Sequence, residues 1–432
     1  MSGWQAWAAL AVFAGAYVLI VTEWVHRVAA ALGGAAAMLA LRATDADAAF
    51  FSTRAGIDWN VVFLLLGMMM IVGVLRRTGL FEFLAIWAVR RARARPFRVM
   101  VMLVVITAAA SALLDNVTTV LLVAPVTLLV CEQLALPVAP FLISEVLASN
   151  IGGIATLVGD PPNIIVGTRA GLTFNDFLVH LAPLAALLTA VLVVMCRVMF
   201  AKSFVYDEKR AAAVLALDPR AAIRDRRLLA QGLTVLAAVV AGFVAHPLLH
   251  YEPSVVALLG AGVLIAVTPV RTEEVLAEVE WPTLAFFAGL FVMVGGLIET
   301  GVVGAVSRAL ADATGGDALS ASALLLGGSA ALSAIVDNIP YVATMAPVTA
   351  DLVHTVGPGH GHVLWWALTA GADLGGNATA IGASANVVVL GIAERNRTPI
   401  SFWTFTRYGA PVAAVTVAVS GLYVWVRYFA LG

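Results

Sequence analysis

Gly152-Gly-Ile-Ala-Thr-Leu-Val-Gly-Asp-Pro-Pro-Asn163 and, 223 positions further on, Gly375-Gly-Asn-Ala-Thr-Ala-Ile-Gly-Ala-Ser-Ala-Asn386 are two versions of one segment. The paired glycines, the threonine, the next glycine and the asparagine keep their spacing. Upstream the match continues at a shift of 222: Trp59 with Trp281, Gly67 with Gly289, Gly73 with Gly295, Thr78-Gly79 with Thr300-Gly301. Asp115-Asn116 answers Asp337-Asn338, and Ala124-Pro-Val-Thr127 returns as Ala346-Pro-Val-Thr349. Chance matches in an Ala/Val/Leu-rich chain would not keep Gly, Asp, Asn, Pro and Trp in one register for a hundred residues. The chain is an internal duplication.

The duplicated unit belongs in a membrane. Of 432 residues, 62% are hydrophobic and 12% charged, against roughly 45–50% and about 25% for soluble domains. Crossings are expected near 4–22, 24–42, 59–76, 139–170 (interrupted), 178–200, 228–246, 254–270, 281–298, 363–393 (interrupted) and 408–430, each near the ~20 residues that a bilayer core requires. The runs 98–131 and 319–350 are too long for one straight crossing and carry an Asp-Asn pair near the middle. A re-entrant hairpin accounts for both features, because irregular backbone at membrane depth must sit inside protein or beside a cavity. The expected fold is therefore all-α and polytopic, with ten transmembrane helices, two re-entrant hairpins and broken helices.

Residues 1–200 form the first repeat, 201–227 a polar linker, and 228–432 the second repeat. Five crossings per repeat is an odd number, so the second repeat is expected upside down. Charge agrees: Arg76, Arg77, Arg90, Arg91, Arg93, Arg95 and Arg98 follow the third crossing, whereas its counterpart holds Arg308 beside Glu299, Asp312 and Asp317. Positive charge marks the cytoplasmic side. The linker then lies inside the cell and both termini outside, in the plasma membrane (the inner membrane of a bacterium). The start lacks a basic signal-peptide region, so the first run is expected to be retained.

Inverted repeats with broken helices put a transport site near the midplane. Consecutive Pro161 and Pro162, after Gly159, remove two backbone donors and interrupt the helix; Gly382 marks the matching break. Carboxylates at this depth are costly and functional by default. Asp115, Asn116, Thr118, Thr119, Asn163, Asp337, Asn338 and Asn386 are the expected substrate or ion ligands. Asp160, Glu145 and Asp373 are the candidates for proton coupling, because their repeat partners do not match them. The competing structural role for the aspartates is helix capping, and for the asparagines interhelical bonding.

Other classes fall away. A net charge of −1 offers no nucleic-acid surface. Cys131 and Cys196 are too few for a disulfide framework or a cysteine metal site and read as small buried hydrophobes. His354, His360 and His362 lie in a Gly/Pro-rich stretch that reads as solvated loop, and no metal site is expected. No nucleophile–base pair or nucleotide motif is present, so no enzyme is expected.

The segments Leu114–Thr127 and Ser149–Gly167 resemble signatures of the ion transporter superfamily. The branch is that of the arsenite pump ArsB, the sodium/proton antiporter NhaD and the melanosomal pink-eyed-dilution protein. The resemblance implies a scaffold, a transport domain holding the hairpins, a homodimer and elevator-type alternating access. It implies a secondary transporter of a small inorganic solute, first of all proton-linked efflux of arsenite or antimonite. Na⁺/H⁺ antiport or an inorganic anion or dicarboxylate carrier is the alternative, and a passive channel the reading of another class. No cofactor is expected beyond H⁺ or Na⁺ as coupling ion. The lipid bilayer is a partner, and a soluble ATPase is compatible with the pattern. Dicarboxylate carriers of the wider superfamily carry Ser-Asn-Thr at the tips; Asp-Asn here would repel a dianion unless protonated or cation-filled. Two cysteines cannot supply three thiolates, so arsenite would bind as neutral As(OH)3.

Overall fold

The computed structural model describes residues 3–22, 24–216, 218–357 and 361–431. Every regular element among them is helical. The first half runs through α1 (Gly3–Thr22), α2 (Arg27–Ala40), α3 (Ala46–Phe51), α4 (Trp59–Arg77), α5 (Leu80–Arg91), α6 (Pro96–Ser111), α7 (Asn116–Leu134), α8 (Val138–Gly153), α9 (Pro161–Ala170), α10 (Phe174–His180) and α11 (Ala182–Met199). The linker contributes α12 (Glu208–Leu215). The second half follows with α13 (Arg226–Leu249), α14 (Pro253–Val267), α15 (Thr272–Leu276), α16 (Trp281–Glu299), α17 (Val302–Thr314), α18 (Ala318–Ser333), α19 (Asn338–Val356), α20 (Gly361–Gly375), α21 (Ser384–Arg395) and α22 (Phe402–Trp425).

The repeat is visible helix by helix. α4 and α16 have 19 residues each, α6 and α18 have 16, α7 and α19 have 19. Both long runs split where the Asp-Asn pairs stand, between α6 and α7 and between α18 and α19. Both interrupted crossings break at the glycines, between α8 and α9 and between α20 and α21. The elbow after each third crossing needs a left-handed residue, and Gly79 (φ 80°) and Gly301 (φ 82°) supply it.

Boundaries differ from expectation in three places. The runs at 24–42 and 254–270 fold as α2 and α14, of 14 and 15 residues, about 21 and 23 Å long and short of a straight crossing. Seven helices among the described residues are long and apolar enough to cross a membrane: α1, α4, α7, α11, α13, α16 and α22. The second arm of the first hairpin, α7, is thus itself of crossing length. The arginine-rich stretch after α4 is largely helical: α5 occupies most of it and ends on Arg90 and Arg91, where basic charge suits a helix C-terminus.

The helices sort into two layers. α1, α2, α4, α13, α14 and α16 pack on one another, chiefly α2 on α16 and α14 on α4. The other layer holds α6–α9, α11 and α18–α22, built on α6 against α8 and α18 against α20. Small residues set those last two pairings: a Cβ on Gly152 would sit 2.2 Å from the Ala108 carbonyl oxygen, and one on Gly375 2.4 Å from that of Ala330. Within this layer the halves interlock, α19 against α9 and α7 against α21. The linker is docked as well, Arg224 N–H donating to the Thr78 carbonyl (2.9 Å) and its guanidinium to Glu82 (3.1 Å). Cys131 and Cys196 are free and buried, matching the expectation.

Candidate functional site

The interlocking brings both hairpin tips and both helix breaks to one point. At each tip the aspartate is the N-cap: Asp115 Oδ1 accepts from Thr118 N–H (2.8 Å), Asp337 Oδ1 from Ile339 N–H (3.1 Å). The cap leaves the following asparagine as the first helical residue, buried and turned to the centre. Asn116 Nδ2 donates to Asp160 Oδ2 (2.7 Å) and Asn150 Oδ1 (3.1 Å). Asn338 Nδ2 donates to the same Asp160 oxygen (3.3 Å) and to Asp373 Oδ1 (3.1 Å). Two carboxylates from opposite halves therefore share one amide.

Asp160 occupies the N-cap position of α9 yet makes no side-chain cap there. The capping role that fits Asp115 and Asp337 does not fit Asp160, which is fully buried and serves both tips. Its backbone (φ −146°, ψ 139°) is reproduced by Ala383 (φ −147°, ψ 143°), so the break geometry does not depend on the carboxylate. Pro161 and Pro162 stand in the first turn of α9, where missing N–H groups cost nothing.

Asn163 and Asn386 act on the breaks themselves. Asn163 Nδ2 donates to the carbonyls of Gly153 (2.9 Å) and Thr156 (2.8 Å); Asn386 Nδ2 does the same to Gly376 and Thr379, 2.8 Å each. Each stitches the frayed end of one helix to the start of the next. Gly159 and Gly382 allow that closeness, each facing the carbonyl of the paired-glycine segment. Thr156 and Thr379 hydroxyls close the loops onto the carbonyls of Ala112 and Ala334. Of the tip threonines, Thr118 supplies its backbone N–H, and the buried Thr119 hydroxyl has no partner.

Glu145 stands apart from this cluster, more than a helical turn before Asn150 on α8. It is buried and accepts from the Thr127 hydroxyl on α7. Its second oxygen has no partner, and neither has Asp160 Oδ1 or Asp373 Oδ2. Buried carboxylate oxygens without donors are costly unless a proton or cation occupies them. Among the described residues, the fully buried acidic and basic side chains are Glu145, Asp160 and Asp373 alone.

The sequence reading did not place Asn150 and Asn377 in the site. Asn150 is a hub: beyond Asn116 it donates to Asn377 Oδ1 (2.8 Å) and Asn386 Oδ1 (3.2 Å), joining the halves. The signal was present, since Asn150 is the repeat partner of Asp373 and a bare amide in an apolar run. Asn377 stands where the first half has Ile154, and only the packing of the halves brings it to Asn150. The loop expected around the histidines is shorter than read: His354 lies in the last turn of α19 and His362 in the first turn of α20, both exposed, and His360 lies outside the described residues. No group of three or more metal-ligating side chains occurs among the described residues.

Residues 17–371 match the family model described as citrate transporter. An uncharacterized transporter of Mycobacterium tuberculosis is 56% identical over 424 residues, covering 98% of this chain and 99% of the relative. The P protein of Homo sapiens is 34% identical across 99% of this chain, which spans 60% of that longer protein. The likeness to the pink-eyed-dilution branch is thereby borne out. Two solved transporters share the fold at low identity. The YdaH transporter of Alcanivorax borkumensis superposes with a TM-score of 0.61 at 17% identity, covering 84% of each chain. MtrF of Neisseria gonorrhoeae, one of a class of antimetabolite efflux pumps, gives 0.55 at 12% identity, covering 86% of this chain and 81% of its own. The chain belongs to the citrate transporter family and is a multi-pass membrane transporter.

Proposed function

We propose that this member of the citrate transporter family is a secondary transporter that couples solute movement to a proton or Na⁺ held among Asp160, Asp373 and Glu145. One observation carries the reading: three fully buried carboxylates, each with an unpartnered oxygen, and no fully buried base among the described residues. In a low-dielectric interior such a set needs neutralisation by a mobile cation. Asp160 and Asp373, joined through Asn338, form a pair whose occupancy both halves sense at once. Asp115 and Asp337, already engaged as caps, hold the tips in position and lie nearer the solute.

The two-layer arrangement supports an elevator motion, the hairpin layer moving along the layer of α1, α2, α4, α13, α14 and α16 within a homodimer. The repeats then enter the bilayer in opposite senses, termini outside and linker inside. A centre that is acidic and lacks a fully buried base suits an uncharged, oxygen-rich cargo, and arsenite or antimonite as the trihydroxide is our first candidate, moved outward against protons. The family match favours a second cargo, citrate, whose own carboxylates would have to be neutralised by protons or a divalent cation before reaching this centre.

Purified protein in liposomes loaded with a pH-sensitive dye tests the coupling. An imposed arsenite or citrate gradient should drive proton or Na⁺ movement in fixed proportion to solute, and preloaded solute should stimulate uptake from the other side. Solute flux with no ion movement and no such stimulation describes a channel and would overturn the proposal.

A further inference from the structure

The second hairpin tip, unlike the first, opens onto a cavity of about 380 Å³. Its polar lining is His26, Arg27, Asp337 and Ser384, and its walls include Ile20 and Val388. Arg27 is the first residue of α2, in the other layer from the tip. Its guanidinium lies over the Phe286 ring, 5.7 Å from the centroid, and Nη1 donates to Ser384 Oγ at 2.9 Å. The Ser384 hydroxyl in turn donates to Asp337 Oδ2.

Asp337 is thus spent: one oxygen accepts from Ile339 N–H and the other from Ser384. Arg27 is not. A guanidinium carries five N–H donors, and among the described residues Arg27 makes this one hydrogen bond and no direct ion pair. A planar cation held over an aromatic ring, with free donors beside a cavity, can take an oxyanion on two parallel hydrogen bonds. Asp337 is followed by Asn338, whose amide holds Asp160 and Asp373, so the cavity ends one residue from the carboxylate centre.

The first tip differs. There Thr118 lines a space of about 30 Å³ with Glu278 and Glu280, beside Arg76, whose charge is already paired with Glu278 (3.4 Å); the cavity of about 400 Å³ beside it runs along α7 past Leu121 and Pro125 and is lined by none of the tip residues. Pro161 stands at the position of Ser384, and Pro253, the first residue of α14, at that of Arg27, because Gly67 packs on Ala257 as Gly289 packs on Ala31.

We propose that the Arg27 cavity is a docking site for a carboxylate or inorganic oxyanion on its way to the centre, with Arg27 as the selecting residue that favours oxyanions over inorganic cations. This rests on the reading of the chain as a carrier, with an anionic cargo of the citrate kind rather than the neutral trihydroxide, but its test needs no transport. Val388→Cys is made in the otherwise unchanged chain, whose two native cysteines are fully buried. In the reconstituted protein this thiol should react about tenfold faster with anionic sulfonatoethyl methanethiosulfonate than with the cationic trimethylammonioethyl reagent, a tenfold ratio being about 1.4 kcal/mol of selection. Arg27→Gln should remove that preference, and Arg27→Lys should retain it. Citrate or sulfate should slow labelling by the neutral methyl reagent with Arg27 present, and do so less in the Arg27→Lys variant because a point charge lacks the fork. A thiol that does not label, labels without charge preference, or keeps its preference in Arg27→Gln overturns the proposal. Failure of ion coupling in the liposome assay would leave these labelling ratios untouched, so the two readings fail separately.

Discussion

The two hairpin tips and the breaks behind them have the same backbone and different chemistry. Both tips begin with a capping aspartate and an inward asparagine, and both second arms carry a proline ten residues in, Pro125 and Pro347. Both breaks are stitched by an asparagine onto two carbonyls. Around this common frame the first half places Asn150, Asp160 and Glu145, where the second places Asp373, Ala383 and Leu368. Groups that serve their own backbone, and the inward asparagines of the tips, were kept in both copies; the buried carboxylates were divided between them. Each half must satisfy its own broken helices, so those residues are needed twice. The centre is met by both halves at once, and doubling Asp160 and Asp373 would crowd four carboxylates into one buried volume.

The strongest way to break this comparison is to make the first break like the second. Asp160→Ala reproduces Ala383 and should leave a folded protein with coupled transport down about 100-fold or more, because two buried amides lose a charged acceptor worth ~1.5–3 kcal/mol each. Ion and solute fluxes in liposomes read the loss directly. An Asp160→Ala protein that transports normally would place the coupling site elsewhere and make the division of labour accidental.

A smaller contrast concerns the matched threonines. Thr127 donates to Glu145, whereas Thr349 is buried with its hydroxyl unpartnered, the repeat counterpart of Glu145 being Leu368, which offers no acceptor. Thr127→Val strips Glu145 of its donor and should cost about 1–3 kcal/mol; Thr349→Val removes an orphan and should be neutral or slightly stabilising. Thermal unfolding of the detergent-solubilised protein checks the pair, and equal effects would contradict the assignment.

The elbows sharpen the comparison at the membrane edge. Alanine at Gly301 meets only the cost of a left-handed conformation, ~1 kcal/mol, since no atom lies near its added Cβ. Alanine at Gly79 would also place that carbon 2.0 Å from the Ala222 carbonyl oxygen of the linker. Gly79→Ala should therefore be the more damaging, and protease sensitivity of the linker should rise in that variant alone.

The smallest effect belongs to the ion pairs beside the first elbow. Arg77 contacts Glu274 and Glu278 (3.2 Å to the latter), while its repeat partner is Glu299. Hydrogen bonds from Arg271 and then Arg77 hold the Glu274 carboxyl below its ordinary range. A depressed carboxyl contributes its stability above the unfolded value and loses it as pH falls through the folded one. Glu274→Gln should lower Tm slightly at neutral pH and converge with the parent in acid. A difference that persists in acid would assign the effect to packing instead.

Legibility in the sequence followed the range of the interactions. The duplication, the hairpin splits and the breaks were readable because glycine, proline and capping residues act within a few positions of themselves. Asp115 and Asp337 could be suspected as caps from their neighbours alone. That Asp160, in the same kind of position, does not cap was unreadable, since its donors come from residues 44 and 178 positions away. Helix lengths failed at α2 and α14, where composition continued past the point at which the chain turned.

By itself, then, the sequence determined that this chain is a membrane-embedded helical duplication with two tips and two breaks, because membrane insertion and helix interruption depend on local composition and backbone chemistry. Only the tertiary structure decided which groups meet: the interlock of α7 with α21 and α19 with α9 puts Asp160 and Asp373 on one amide, makes Asn150 a bridge, and sets Arg27 against Ser384, 357 residues along the chain. Those meetings are set by how two separately satisfied halves pack, and no local pattern encodes them.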